Sequence, residues 1–564
     1  MGERPSLFEF GPFRVDARKR LVFRAGVLLD VPPKAVELLS ALVGEAGEVV
    51  SKDELLRLVW PDTFVEEANL SVNVSILRKA LGEQPDGEPY IQTLARRGYR
   101  FLGQVTSAVA SAPRTLAVLP FRSLVPHEAD EPLGLGLADA LIARLAATGR
   151  IAVRPTAAVR RFTGPDTDPL EVGRQLRVDA VLDGRFRKAD SRLLVSVQLL
   201  PADGSSPLWA ERFEEALTSV FEVEGAIAAK LAASLVVELS AEERQRLGRR
   251  QTGSVEAWQA YARGRFFWGR FSRASVEKAM ACFQEAARLD PGYALPHAGL
   301  ADVFLVAGLS GAVAPKRAWS YASEATERVR QRDELLAEGH VSSAFQRLFA
   351  SWDWAGAERE LLRAVELEPL SVAPHQWHAL LLGLRGHFAE AHRSLARARE
   401  IDPLSVIAAA LQGLLLAFEG RHEEEVAQQR LSVELDPQHF VAQWALGGAL
   451  LNVGAFAEAV EVLQRAVALA EDTPFLGPFL ARALALAGRD AEARALLRET
   501  PKALCYQRAA VFVALGELSS ALRELRSAVK AREAWVVALP FDPAFVALRD
   551  EQGFRELVKT VSRD

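Results

Sequence analysis

Apolar positions recur along the chain in three distinct rhythms, and each predicts a different kind of element. Near the N-terminus, Phe8–Phe10, Phe13–Val15, Leu21–Phe23 and Val27–Leu29 are short β-type runs separated by Gly11-Pro12, charges and Gly26. They predict a small antiparallel sheet. Pro33 then opens a helix that carries Val36, Leu39, Leu42 and Val43 on one face and ends at Gly44 and Gly47. Ser51-Lys52-Asp53-Glu54 is a capping box, starting a helix that runs through Leu55, Leu58 and Val59 to Trp60 and stops at Pro61.

The stretch Asn69–Leu81 is a helix with Leu70, Val74, Leu77 and Leu81 on its core side and Gly82 as its stop. Its other side presents Val72, Ser75, Ile76 and Lys79, flanked by Asn69, Asn73 and Arg78. Small polar groups, two apolar side chains with no evident core to enter, and a few cations suit a DNA major groove. Asn pairs bidentately with adenine, Ser bonds several bases, and Val or Ile meets a thymine methyl. The same spacing also suits an ordinary amphipathic helix. Tyr90–Leu94 and Tyr99–Leu102 follow as a hairpin with Arg96 and Arg97 at its tip, Gly98 in the turn and Arg100 just beyond.

The small-residue run Gly103–Pro113 reads as a tether, placing one domain at residues 1–105 and a linker at 106–113. Residues 114–245 alternate strand and helix signals. Leu116–Leu119, Ile151–Val153, Ala180–Leu182, Leu193–Leu199 and Leu208–Phe213 are predicted strands, with helices at Leu133–Ala147, Leu170–Leu176 and Val220–Leu239. That predicts an α/β layered domain. Gly134-Leu135-Gly136 lacks the third glycine of a phosphate loop and reads as a helix entry.

From residue 254 to 564 the period lengthens to 34. Pro369, Pro403 and Pro437 share it, as do Gly386, Gly420, Gly454 and Gly488, and Ala357, Ala391, Ala459 and Ala493. Ala364, Ala398 and Ala466 keep the phase, whereas Glu425 and Ser432 interrupt it. A 34-residue period with small residues at fixed phase is the tetratricopeptide pattern, an all-α superhelix of about eight units whose concave face takes protein or peptide. Gln376, Leu380, Leu384, Phe418, Trp444 and Asn452 are the first-helix positions expected to line that face, each also open to simple packing. His375, His378, His387 and His392 sit close in sequence, but no carboxylate or thiolate completes a metal set. Trp352-Asp353-Trp354 reads as a packed corner between helices.

Composition narrows the class. At 564 residues, with 49% apolar and 25% charged side chains, the chain is a multidomain globular protein. Two cysteines far apart, Cys282 and Cys505, provide neither a disulfide framework nor zinc spacing. The N-terminus carries no apolar signal core, and no run of about 20 apolar residues exists, so a soluble, cytoplasmic chain without membrane contact is expected. The net charge of −5 does not advertise nucleic acid, and residues 1–105 hold 14 Lys/Arg against 15 Asp/Glu. Any positive field must come from local clusters: Arg18-Lys19-Arg20, Arg78-Lys79, and Arg96-Arg97 with Arg100. There is no Gly-Lys pair for a nucleotide loop and no legible nucleophile–base set, so neither catalysis nor a cofactor is expected.

Leu70 through Leu77-Arg78-Lys79-Ala80-Leu81-Gly82, then Tyr90-Ile91-Gln92-Thr93-Leu94 and Arg97-Gly98-Tyr99-Arg100-Phe101, resemble the winged helix-turn-helix domain of OmpR/PhoB-type regulators, in its CadC/ToxR-like version without a receiver domain. The resemblance implies binding to double-stranded DNA, with a wing arginine entering the minor groove. It also implies that the loop before the recognition helix touches RNA polymerase, although Asp62, Glu66 and Glu67 make that loop acidic here. Well-known relatives carry several arginines on this helix. Ala68, Ser75 and Ile76 stand here instead, which favours a dimer or tandem pair on repeated half-sites. Without a receiver domain, phosphorelay control would come through a partner. Ala117–Phe121, Val178–Gly184 and Leu208–Arg212 resemble a TolB-amino-terminal/FlgO-like domain. The whole reads as a one-component transcriptional regulator with a winged-helix (α+β) domain, an α/β middle domain and a repeat superhelix. The near-neutral first domain keeps a second reading open, a repeat scaffold whose N-terminal domain docks protein rather than DNA.

Overall fold

The computed structural model describes residues 7–562 apart from 18–19, 25–26, 30, 61–64, 66, 85–86, 96, 104, 106–114, 126–130, 165–166, 190–191, 206, 217–219, 235–239, 241–242, 244–246, 249, 270–271 and 471–472. The chain divides into two compact units, 1–112 and 113–564. The expected tether at 106–113 lies outside the described residues.

The first unit opens with an antiparallel sheet of β1 (Leu7–Phe10), β2 (Phe13–Asp16), β3 (Leu21–Arg24) and β4 (Val27–Leu28). Pro32-Pro33 starts α1 (Pro33–Gly44), which buries Val36, Leu39, Leu42 and Val43 as the periodicity requires. A strand that the pattern does not announce, β5 (Val49–Ser51), precedes α2 (Lys52–Val59). Ser51 both ends that strand and caps the helix, its Oγ accepting the Glu54 amide at 3.2 Å. After α3 (Glu67–Leu81), the wing strands β6 (Ile91–Leu94) and β7 (Gly98–Phe101) pair antiparallel, and β7 also pairs β5. Gly98 has φ +144°, and a Cβ there would stand 2.0 Å from the Val50 carbonyl oxygen. It is glycine because β5 runs against it as much as because the hairpin turns. Phe10 meets Phe101 edge-on at 4.7 Å and Tyr90 at 5.4 Å, joining the first sheet to the wing through aromatic packing.

In the second unit, the strands β8 (Thr115–Val118), β9 (Arg122–Ser123), β10 (Ala152–Val153), β11 (Ala180–Ala189), β12 (Arg192–Pro201) and β13 (Trp209–Ala216) form a mixed sheet of order β10-β8-β11-β12-β13, with β9 on β11. The helices here are α4 (Glu131–Ala146), α5 (Thr156–Val159), α6 (Pro169–Gln175) and α7 (Val220–Ser234). Arg144 Nε on α4 donates to Glu224 Oε1 on α7 at 2.6 Å, an almost fully buried pair; burial still pushes the Glu224 carboxyl up. Gly134 and Gly136 lie inside α4. A Cβ would meet the Phe121 carbonyl oxygen at 1.9 Å in one case and the Ala262 methyl at 2.6 Å in the other. These glycines serve close packing, which also accounts for the incomplete phosphate-loop pattern.

Eight helix pairs follow among the described residues, from Val255–Trp268 with Arg273–Leu289 to Cys505–Ala514 with Leu518–Ala531. Gly386, Gly420, Gly454 and Gly488 all adopt φ between +76° and +79° at the turn within a pair. Ala357, Ala391, Ala459, Ala493, Ala364, Ala398 and Ala466 are wholly buried where the two helices touch. The exceptional Glu425 is buried too, its carboxylate taking the Asn452 amide at 3.0 Å and the His422 ring at 3.1 Å. Trp352 turns the chain with φ +58°, and Asp353 caps the helix after it by accepting the Gly356 amide at 2.9 Å. His375 contacts the Pro369 carbonyl oxygen at 3.1 Å, and His392 pairs with Glu419.

Read as separate domains in the sequence, the middle sheet and the repeats share one core. Trp258 of the first repeat helix is buried among Leu137, Leu141 and Phe221 of the middle layer. Arg154, 1% exposed, donates to the carbonyls of Leu176 at 2.9 Å and Arg177 at 2.7 Å and to that of Ile401 in the repeats.

Candidate nucleic-acid interface

The candidate interface is built on α3, which packs against α1 and α2. Its stripe Leu70, Val74, Leu77 and Leu81 is at most 2% exposed. With the core side fixed, the 3.6-residue period turns Asn69, Val72, Ser75 and Lys79 outward, and all four are exposed. Val72 stands 56% open, an apolar side chain that the fold leaves without a partner.

The remaining residues of the row are partly engaged. Asn73 Nδ2 donates to the Asn69 carbonyl oxygen at 2.8 Å, which uses one of its two N–H groups and leaves the other and the side-chain oxygen for a ligand. Ile76 is half-buried against the core of the unit, so it does find apolar neighbours. Arg78 reaches across to the wing, donating from Nε and Nη2 to the Ile91 carbonyl oxygen at 3.0 and 2.8 Å and from Nη2 to Thr93 Oγ1 at 2.7 Å. This guanidinium braces the wing strand against the helix. Thr93, which the sequence pattern does not single out, is its anchor. Alternation along β6 puts Thr93 on the same face as the buried Ile91.

At the wing tip Arg97 is exposed, and Arg96 lies outside the described residues. Arg100 pairs across the ladder with Gln92, on the face opposite Thr93 and Tyr99, and its Nε is buried without a partner. The fold therefore separates Arg100 from the row on α3. At the start of α3, Glu67 accepts from Lys52 Nζ at 2.6 Å, and the ion pair raises the lysine's pKa. Of the acidic loop before the helix, Asp62 and Glu66 lie outside the described residues, as do Arg18 and Lys19.

The six repeat positions expected on an open concave face are differently placed. Leu380 and Leu384 are buried in one core with Ala534, Val536 and Phe545, and Gln376 is buried as well. Phe418 lies 5.8 Å from Phe541 and Trp444 lies 6.2 Å from Trp535, ring centre to ring centre. Asn452 is held by Glu425. The face is taken up by the chain's own side chains, which lie more than 80 residues away for the aromatic contacts and so leave no mark on the local pattern.

This arrangement of three helices, a wing and an outward polar row is a winged helix-turn-helix domain of the kind found in transcriptional regulators. Residues 26–101 match the family described as "Transcriptional regulatory protein, C terminal". Residues 112–230, likened above to a TolB-amino-terminal/FlgO-like domain, match the "HilA/YgeH-like transcriptional regulator, second domain". The transcriptional regulator HilA of Salmonella typhimurium is 26% identical over 289 residues, 50% of this chain and 51% of its own. The chain thus spans about half the length of that relative. The transcriptional activator CadC of Escherichia coli is 34% identical over 82 residues, 14% of this chain and 16% of that protein. A Rhizobium meliloti protein whose name points to adenylate cyclase activity is 27% identical over 194 residues, 34% of this chain and 33% of its own. Among solved structures, the DNA-binding domain of E. coli CadC aligns with 19% of this chain and 99% of its own at 29% identity, with a TM-score of 0.17.

Proposed function

We propose that the chain is a transcriptional regulator that lays α3 in the major groove of duplex DNA and sets the wing against the neighbouring backbone. The observation that supports this reading is the outward row of α3. The fold buries one side of the helix completely and leaves Asn69, Val72, Ser75 and Lys79 open beside a wing braced by Arg78. Asn69 and Ser75 suit base edges, Val72 suits a thymine methyl, and Lys79 and Arg97 suit phosphates. With so few cations on the row, each protomer supplies modest affinity, so two protomers on repeated half-sites are expected.

Contact with RNA polymerase through residues 61–67, a protein partner for the repeats and a cytoplasmic location belong to the same proposal. No helix among the described residues is long and apolar enough to cross a membrane. The location is checked by pelleting membranes, where salt-resistant retention would refute it.

The deciding experiment mixes purified full-length protein with sheared genomic DNA at about 150 mM salt and sequences what is retained. A short repeated motif upstream of genes is the expected result. Uniform or absent recovery would favour the scaffold reading, which the balanced charge of residues 1–105 supports. On a recovered site, Asn69→Ala should erase preference at one or two base pairs, about 1–3 kcal/mol, whereas Arg97→Ala should weaken all sequences alike and flatten the salt dependence by about one unit. Unchanged binding in both variants would reject this docking mode.

A further inference from the structure

The repeat array ends in a segment that does not continue it. After the helix Leu518–Ala531, Arg532 adopts φ +59° and the chain turns back through two short 3-10 turns, Ala534–Ala538 and Pro543–Leu548. Trp319 Nε1 donates to the Arg532 carbonyl oxygen at 2.8 Å across 213 residues, and the Arg532 guanidinium lies 3.5 Å above the Trp352 ring. Trp535 packs against the touching pair Trp444 and Phe475, at 6.2 and 6.4 Å, while Phe541 reaches Phe388 and Phe418 at 5.6 and 5.8 Å. Glu533 receives the backbone amides of Cys505 and Tyr506, and Asp542 receives the Tyr506 hydroxyl at 2.6 Å. One short segment therefore touches repeats from Trp319 to Tyr506, in the manner of a peptide laid along a solenoid.

We propose that residues 532–548 are an intramolecular ligand of the repeat array, a strap that occupies its inner face and that an aromatic, acceptor-rich peptide segment of a protein partner displaces. The seam itself supplies the argument for displacement. Trp352 Nε1, Trp535 Nε1 and Arg532 Nη1 are all buried there without a hydrogen-bond partner. Buried donors are nearly always paired, and each unmade bond weighs against the closed state. Apolar burial of Val536, Val537, Leu539 and Phe545 holds the strap down, while the donors around it go unanswered. Release of the strap returns Trp535 Nε1 and Arg532 Nη1 to water, and a segment that fills the same aromatic slots while offering a carbonyl or carboxylate oxygen to Trp352 Nε1, which stays on the array, binds better than the strap does. The turns are short and have none of the long hydrogen-bonded ladder that would lock a helix in place. The repeats would thus be closed until a competitor arrives, which rests on the reading of the array as a protein-binding element.

The test uses the full chain and a labelled synthetic peptide of residues 532–548, so it needs no natural partner. Wild-type protein should bind the peptide weakly, because its own strap competes. Trp535→Ala combined with Phe541→Ala should bind it at least tenfold more tightly with unchanged helical circular dichroism. Equal binding to both proteins, or none to either, would overturn the proposal. Trp319→Phe keeps an aromatic ring at the site, though a smaller one, and removes the N–H that bonds Arg532, so it serves if the double variant fails to fold. It should speed hydrogen exchange at residues 533–541 about three- to tenfold while leaving 372–384 unchanged. Exchange of 533–541 only together with 372–384, in wild type and variant alike, would make the segment a fixed part of the core and sink the strap. A partner pull-down with wild-type and Trp319→Phe chains separates the two ideas. Peptide competition without any captured partner would refute the protein-binding reading and leave the strap standing.

Discussion

Val72 on α3 and Leu380 on the repeat helix Val372–Leu384 both lie on the helix side turned toward an expected partner, yet one is 56% exposed and the other 6%. On α3 the outward row stays open because the three helices and two small sheets of its unit bury most of their large apolar side chains in one core on the helix's other side. On the repeats Leu380 lies beside Leu348 and Leu361 of the preceding pair, in a core that extends to the chain's own C-terminal segment, and that segment meets Phe418 and Trp444 further along the row. A face left over after folding is thus a binding face only where nothing distant in the chain can reach it. Within its own unit, and among the described residues, the row on α3 meets that condition. The repeats are long and curved enough for Gly311 of the second pair to lie against Leu504 beside the eighth, so they do not.

The comparison can be broken most sharply at the two helices themselves. Leu77→Ala should cost about 2–5 kcal/mol in the N-terminal unit, while Val72→Ala stays within about 0.5 kcal/mol of wild type. Leu380→Ala should behave like Leu77→Ala, since both leave a cavity in a closed core. Denaturation of the full chain, with hydrogen exchange to assign the loss to residues 67–81 or 372–384, reads all three. A Leu380→Ala cost as small as that of Val72→Ala would mean that the inner row of the repeats is open after all.

A second break point is Glu533, at the root of the covering segment. Burial pushes its carboxyl up to about 6 from an ordinary 4.5, against the two backbone amides that favour the charged form. A carboxyl whose pKa rises on folding contributes stability that is fully present below about 4.5 and is lost as the pH climbs through about 6. The difference of roughly 1.5 units corresponds to about 2 kcal/mol. Between pH 4.5 and 7, wild type should therefore lose about 2 kcal/mol more stability than Glu533→Gln, which cannot ionise. Parallel melting curves across that window would show that Glu533 is as well solvated folded as unfolded, and so that the segment is not seated.

Legibility in the sequence follows the same division. The stripe Leu70, Val74, Leu77 and Leu81, the Ser51 cap and the 34-residue recurrence of Gly386 to Gly488 depend on neighbours within one or two elements, and each stands in the structure as its spacing implies. The three-residue strand β5 was hidden because Val49-Val50-Ser51 is too short to show a period and doubles as a helix cap. The shared core of the middle sheet and repeats, through Trp258 and Arg154, was hidden for another reason. A buried tryptophan reads alike whichever layer it enters, and the Arg154 bond to Ile401 spans 247 residues. Ile76 looked free because helix phase alone cannot say how wide the covered stripe is.

The smallest expected effect is also the one that best sharpens the division of labour on α3. Thr93→Val keeps the shape of the side chain and removes the acceptor that Arg78 Nη2 uses at 2.7 Å, leaving the two bonds to the Ile91 carbonyl oxygen in place. Thr93 is exposed, so water can replace the lost hydroxyl, and the stability cost should be no more than about 1 kcal/mol. If Arg78 serves to hold the wing, the loosened brace lowers affinity for a target duplex and a scrambled duplex by the same small factor at one salt concentration. The preferred motif stays as it was. Asn69→Ala acts the other way, changing the ratio between the two duplexes more than the scrambled affinity itself. A Thr93→Val protein that favours different base pairs would place the Arg78 guanidinium in the groove, and the reading row on α3 would then have to include it.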